Sequence, residues 1–232
     1  MDFDGSQKII GHGAQADVFE YYGYAYKVYK DTYPSEWIGF EKDQQRAVNQ
    51  AGISPIRYYD TDDDHIIKMD LIRGVMLETK MREGFEGGFE TIAEAFRRIH
   101  NAEIDNINMP RMIDTLRYIM TEDECSKTAP IVERLSGKYK NCICHLDMHF
   151  QNIMFPDDGG DFVIIDWMNT RIAPPVFDFA RTYVVIEEFV KELLPMYQNA
   201  ISEDVDKLGI TSSDMEDAIS VIRVIRNREK SN

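Results

Sequence analysis

Residues 142–155, "CICHLDMHFQNIMF", set two histidines, an aspartate and an asparagine inside an otherwise apolar run. An unpaired buried carboxylate costs far more than one hydrophobic contact returns, so Asp147 needs a partner or a task. Asn152 follows five positions later, and a second aspartate, Asp166, lies in the next apolar run, "FVIIDW". The turn "PDDGGD" between those runs predicts a hairpin that brings Asn152 and Asp166 together. Phosphoryl transfer uses such a set: one carboxylate orients an attacking hydroxyl and accepts its proton, while an amide oxygen and a second carboxylate hold Mg²⁺. The metal's own charge makes the cluster tolerable in apolar surroundings.

Two different regions must position these groups. Residues 7–30 are rich in β-branched and aromatic side chains broken by glycines, the pattern of two or three antiparallel strands. "PSEWIGFEKDQQRAVNQAG" then predicts a helix, with Ser35 as a cap and Gly52 as its stop. "IRYYDT" and "HIIKMDLI" read as two further strands, so residues 1–72 run β-β-β-α-β-β. From residue 88 the period is helical: Ile92, Ala95, Phe96 and Ile99 share one face of "GFETIAEAFRRIHNAEI". "MIDTLRYIMTEDE" and "APIVERLSGKY" follow as shorter helices, and after Pro174 and Pro175 helical pattern resumes through "VFDFARTYVVIEEFVKELLPMYQNAI" and "SSDMEDAISVIRVIRNREK". The expected fold is α+β, with an N-lobe of antiparallel sheet plus one helix over 1–72 and a mainly helical C-lobe over 73–232.

The chain has 232 residues, 44% of them hydrophobic, enough for one globular unit of two lobes or two small domains. No run approaches the ~18 apolar residues of a membrane helix, and the acidic start "MDFDGSQKII" lacks the pattern of an export signal. Three cysteines, two separated by one residue, make a poor disulfide framework and suit a reducing compartment, so a cytoplasmic location is expected. With 41 acidic and 26 basic residues, the formal charge of −15 repels nucleic acid and anionic membrane and attracts cations. Solubility alone accounts for that acidity equally well.

Taken together, these residues resemble the aminoglycoside phosphotransferase and choline kinase superfamily, the small-molecule branch of the protein-kinase-like fold, from residue 9 to about residue 185. "HLDMHFQN" keeps His145, Asp147, His149 and Asn152 of its H-G-D-x-H-x-x-N loop. It departs at Leu146, where glycine is commoner, and at Phe150 and Gln151, where Pro-Gly is frequent; these differences bear on loop shape and substrate class. Ile165, Asp166 and Trp167 are similar to the superfamily's I-D-W, and Asp178 matches a buried aspartate that braces the loop.

The resemblance implies ATP and Mg²⁺ as cofactors, Asp147 as the catalytic residue, and Asn152 and Asp166 as metal ligands. "GHGAQADV" fits G-x-G-x-x-G-x-V, so Gly11, Gly13, Ala16 and Val18 would cover the phosphates, although alone this is an ordinary β-turn. Lys27 resembles the lysine that pairs with the α- and β-phosphates. Glu41, rather than Glu36, resembles its glutamate partner. Met69 corresponds to the gatekeeper, and Asp70 to Ile72 would offer backbone groups to adenine.

The partner expected is a small-molecule hydroxyl acceptor. Acids at Asp178, Glu187, Glu188, Glu192, Glu203, Asp204, Asp206, Asp214, Glu216 and Asp217 lie on helices that in this superfamily face the acceptor, which favours an amine-bearing one such as an aminoglycoside or a choline-like alcohol. The alternatives are a sugar or macrolide kinase, a kinase-like module that binds nucleotide without turnover, and a protein kinase, for which the seven residues between Asp166 and Pro174 leave too short an activation loop. A zinc site on Cys142, Cys144, His145 and His149 would leave Asn152, Asp166 and the glycine loop unexplained.

Overall fold

The computed structural model describes residues 3–231. In chain order the elements are β1 (Lys8–His12), β2 (Ala16–Tyr21), β3 (Tyr24–Tyr29), α1 (Ser35–Gln50), β4 (Tyr58–Tyr59), β5 (Ile66–Asp70), β6 (Gly74–Met76), α2 (Leu77–Arg82), α3 (Gly88–His100), α4 (Met112–Ile119) and α5 (Glu122–Lys138). They continue with β7 (Cys142–Cys144), β8 (Ile153–Pro156), β9 (Val163–Ile164), β10 (Arg171–Ala173), α6 (Pro175–Phe189), α7 (Leu194–Lys207) and α8 (Ser212–Ser231). Two compact units result, one comprising the chain up to Val75 with Met154–Met168, the other Met76–Ile153 with the chain from Asn169 onward.

In the first unit, β1 to β5 form one antiparallel sheet in the order β1-β2-β3-β5-β4. Tyr22 and Gly23 both take positive φ, 44° and 80°, where β2 turns into β3, the conformation that matches the strands' right-handed twist. Ala16, Tyr29, Ile38 and Ile67 make a buried cluster against which Tyr33 and Tyr58 pack. Ser35 is the first residue of α1 and not its cap; Pro34 stands at the cap position, where its fixed φ suits a helix start and no side-chain bond is made. Gly52, at φ 71°, ends the helix as expected. Gly74 is required sterically: a Cβ there would lie 2.3 Å from the Phe155 carbonyl oxygen, at the pairing of β6 with β8.

In the second unit the face predicted for α3 is the buried one, with Ile92, Ala95, Phe96 and Ile99 all 1% exposed or less. Each large apolar side chain there contributes roughly 1.5–3 kcal/mol of transfer free energy. Two helix boundaries depart from the periodicity. The chain breaks at Met120, where Thr121 and Glu124 form a capping box, and α5 then runs through Pro130 instead of starting there. The long apolar stretch after Pro175 is cut at Val190 by a 3-10 turn, Lys191–Leu193, because Pro195 must sit in the first turn of a new helix. The short elements β6, α2 and β10 are too brief to carry a periodicity. Among the described residues no helix is long and apolar enough to cross a membrane.

Candidate active site

Lys27 lies in the middle of β3 and Glu41 one turn and a half into α1, whose buried face points at the sheet. Lys27 Nζ donates to both Glu41 carboxylate oxygens, at 2.8 and 3.0 Å, so the expected pair is formed and the exposed Glu36 is not its partner. Tyr29 Oη also donates to Glu41 Oε2, and Tyr58 Oη donates to Oε1 at 3.2 Å. Burial alone would lower the Lys27 pKa, but the carboxylates of Glu41 and Asp166 reverse this and raise it well above the ordinary lysine value. Burial and the same carboxylate push the Tyr29 and Tyr58 phenols up, so both stay neutral donors. A buried glutamate (3% exposed) is thus met by one cation and two hydroxyls.

Asp166, in the same unit, is exposed and left-handed at φ 63°. The glycine loop is the β1–β2 turn, where the Gly13 N–H donates to the Ala16 carbonyl at 2.9 Å and a Cβ on Gly13 would come within 3.0 Å of that oxygen. Gly11 tolerates a Cβ at ordinary contact with Val18, so only the second glycine is sterically demanded. Met69 sits on β5 opposite Ala25 and Tyr58. The Asp70 N–H is taken by the Arg57 carbonyl and its carboxylate accepts from the Arg57 N–H and Tyr59 Oη, which holds the strand end in place just before Ile72.

In the second unit β7 delivers the chain to the loop of Asp147. The buried Asp178 of α6 accepts the His145 N–H at 3.0 Å, the Leu146 N–H at 2.7 Å and His100 Nε2 at 2.8 Å, which answers the cost of burying its charge. Leu146 adopts φ 56° to present its N–H, a left-handed position that accounts for glycine being commoner there. Further along, Thr182 Oγ1 donates to the Met148 carbonyl at 2.7 Å. The Asn152 amide Nδ2 points at the Asp147 carbonyl (2.9 Å) and His149 Nε2 (3.3 Å), leaving Oδ1 as the oxygen that can face a cation. Amide and carboxylate oxygens are the donors a hard ion such as Mg²⁺ takes, so Asn152 and Asp166 fit that ion by type.

Asp147 itself is held by a residue the sequence reading did not single out. Arg181 Nη2 and Nε lie 2.8 and 3.3 Å from Asp147 Oδ1, while Oδ2 is 3.8 Å from His149 Nε2. Burial would raise the Asp147 carboxyl, but the charges of Arg181 and His149 hold it below the usual carboxylate range. The signal was present three positions after Asp178 in "DFAR", on the same helix face.

Beside this group is a cavity of about 40 Å³ bordered by Leu146, Asn169, Arg171, Arg181, Leu116 and Glu229; burial lowers Arg171 to about 10. A larger cleft of about 420 Å³ lies among α6, α7 and α8, with Tyr183, Tyr197, Asp206 and Glu216 on its walls.

The two thiols lie with His100, already bound to Asp178, and not with the His145 and His149 of the zinc reading set aside above; both sulfurs donate to the Ala173 carbonyl beneath the loop. One further expectation changes. The acidic set on the later helices is largely neutralised from within. Glu187 pairs with Arg223, Glu188 with Arg226 and Lys230, Glu203 with Lys207, Asp204 with Arg97, Asp214 with Arg134 and Lys138, and Asp217 with Arg134. Apart from Glu203–Lys207, which lies within α7, these pairs tie one helix to another, and a paired carboxylate supplies little field for a cationic ligand.

The sequence model of a phosphotransferase enzyme family, APH, matches residues 6–209. No curated protein sequence matches the chain. Among solved structures, the choline kinase LicA from Streptococcus pneumoniae is 16% identical with a TM-score of 0.65, over 97% of this chain and 84% of that one. Aminoglycoside phosphotransferase APH(3'')-Id from Streptomyces rimosus is 19% identical with a TM-score of 0.66, over 96% and 93%. A mutant of aminoglycoside phosphotransferase APH(4)-Ia, solved with ADP and hygromycin B, is 13% identical with a TM-score of 0.63, over 98% and 88%. At these identities the likeness is one of fold.

Proposed function

As the chain belongs to the phosphotransferase enzyme family and is a small-molecule kinase, we propose that it moves the γ-phosphate of ATP to a hydroxyl of a small acceptor, with Mg²⁺ as cofactor. The observation that carries the reading is the Lys27–Glu41 ion pair, because a lysine held rigid and protonated by a buried carboxylate is what clamping a nucleotide's phosphates requires. The nucleotides named with two of the fold relatives, AMP with LicA and ADP with APH(4)-Ia, support the same choice of donor.

In this reading Lys27 holds the α- and β-phosphates, the Gly11–Gly13 turn with Ala16 and Val18 covers them, and Met69 to Ile72 receive adenine. Asn152 and Asp166 would hold Mg²⁺, which when bound neutralises charge on the phosphates. Asp147 accepts a hydrogen bond from the acceptor hydroxyl through its second oxygen and takes the proton late, as suits a carboxylate kept acidic by an arginine. Nucleotide and acceptor sites are assigned to residues 1–72 and 73–232 respectively.

The acceptor is an alcohol, and the net charge of −15 disfavours an anionic one. A screen of ATP consumption against amino alcohols, aminoglycosides, sugars and macrolides tests this. Mg²⁺-dependent turnover with one alcohol class is expected; ATP consumption that no hydroxylated acceptor stimulates would leave a nucleotide-binding module.

A further inference from the structure

Four contacts tie one helix, α6, to the loop of Asp147, and three of them reach only backbone. Asp178 takes the His145 and Leu146 N–H groups and Thr182 holds the Met148 carbonyl. Arg181, on the same face between them, is the member that reaches the Asp147 side chain. Both of its contacting nitrogens converge on Oδ1. The planar guanidinium fixes that carboxylate's rotation while Oδ2 stays turned toward His149, on the side that does not bind the arginine.

Arg181 cannot easily swing away, since its side chain is 3% exposed and any other rotamer would bury an unpaired charge. Its remaining nitrogen, Nη1, is taken by Glu229 of α8, at 2.9 Å from Oε2 and 3.1 Å from Oε1. Glu229 is in turn held by Arg226, which binds Glu188 of α6. An alternating chain of charge therefore runs from the surface of the terminal helix to the acceptor carboxylate.

We infer that Arg181 is the positioning residue for Asp147, and that Glu229 on the last turns of α8 holds Arg181 to that orientation. The inference rests on the role proposed above for Asp147. It makes the C-terminal helix part of the catalytic apparatus and not merely a cover for α6.

A double-mutant cycle on the full chain tests it, with Mg-ATP as substrate, water as phosphate acceptor, and phosphate release as the readout. Arg181→Met should lower kcat by about 10- to 100-fold, the scale on which misplacing a reacting group acts, with the KM for ATP within about twofold. Arg181→Lys, which keeps the charge and loses the fork, should recover part of the rate. Glu229→Gln should cost several-fold.

In an Asp147→Asn background, Arg181→Met and Glu229→Gln should each cost nothing more, because their effect passes through the missing carboxylate. The same fold-loss with and without Asp147 would assign Arg181 a purely structural role and overturn the inference, as would unchanged kcat in Arg181→Met. If Arg181→Met does not fold, Glu229→Gln and Arg181→Lys decide by the same comparison. Wild-type rates in Asp147→Asn alone would instead remove the proposed role of Asp147.

Discussion

The Lys27–Glu41 pair was legible through the resemblance of "YAYK" and "FEKDQQRAV" to the superfamily, and Asp147, Asn152 and Asp166 stood out as polar groups in apolar runs. Arg181 was not legible, since its partner is 34 positions away and an arginine on a helix reads by default as a solvated charge. The division of labour among these residues gives separable outcomes. Asn152→Ala and Asp166→Ala should raise the Mg²⁺ concentration needed for half-maximal turnover, measured by metal titration, as lost oxygen ligands would. Lys27→Ala should instead raise the KM for ATP at saturating Mg²⁺. It should also destabilise the first unit by about 3 kcal/mol in urea unfolding, because Glu41 is left buried with only two tyrosine hydroxyls.

Elements with long amphipathic runs, α1, α3 and the five-stranded sheet, were legible because one face of each is buried. The boundaries misread were decided by local chemistry: Thr121 and Glu124 start α5 through a reciprocal cap, which outweighs the pull of Pro130. The loop of Asp147 shows the reverse conflict, with a leucine where the backbone wants glycine. Left-handed φ at Leu146 costs about 1–2 kcal/mol, yet its buried side chain packs beside the cavity. Leu146→Ala keeps that strain and loses the contacts, so it should cost about 3 kcal/mol in unfolding free energy. Leu146→Gly loses the same contacts but relieves the strain, and should cost only about 1–2 kcal/mol. A glycine variant less stable than the alanine variant in chemical denaturation would contradict this.

Over the whole molecule, the charge of −15 was readable from composition, but where it acts was not, because pairing depends on which helices meet. Asp214 binds Arg134 and Lys138 of α5 together with Thr211 and Tyr139. Burial would raise its carboxyl, yet these bonds hold it well below the usual value of 3.8. A depressed folded pKa means stability present above pH 3.8 and lost as pH falls further. The difference in melting temperature between wild type and Asp214→Asn should therefore be largest near neutrality and shrink below about pH 4. Paired acids also predict that the acceptor KM changes little with ionic strength, less than twofold between about 50 and 300 mM salt, in contrast to a cleft of free carboxylates. The decisive measurement is transfer of labelled γ-phosphate from Mg-ATP onto the best acceptor by wild type and by Asp147→Asn. A kcat lowered by about 100-fold or more with nucleotide affinity unchanged is predicted; equal transfer by the two proteins would contradict a phosphotransferase built on Asp147.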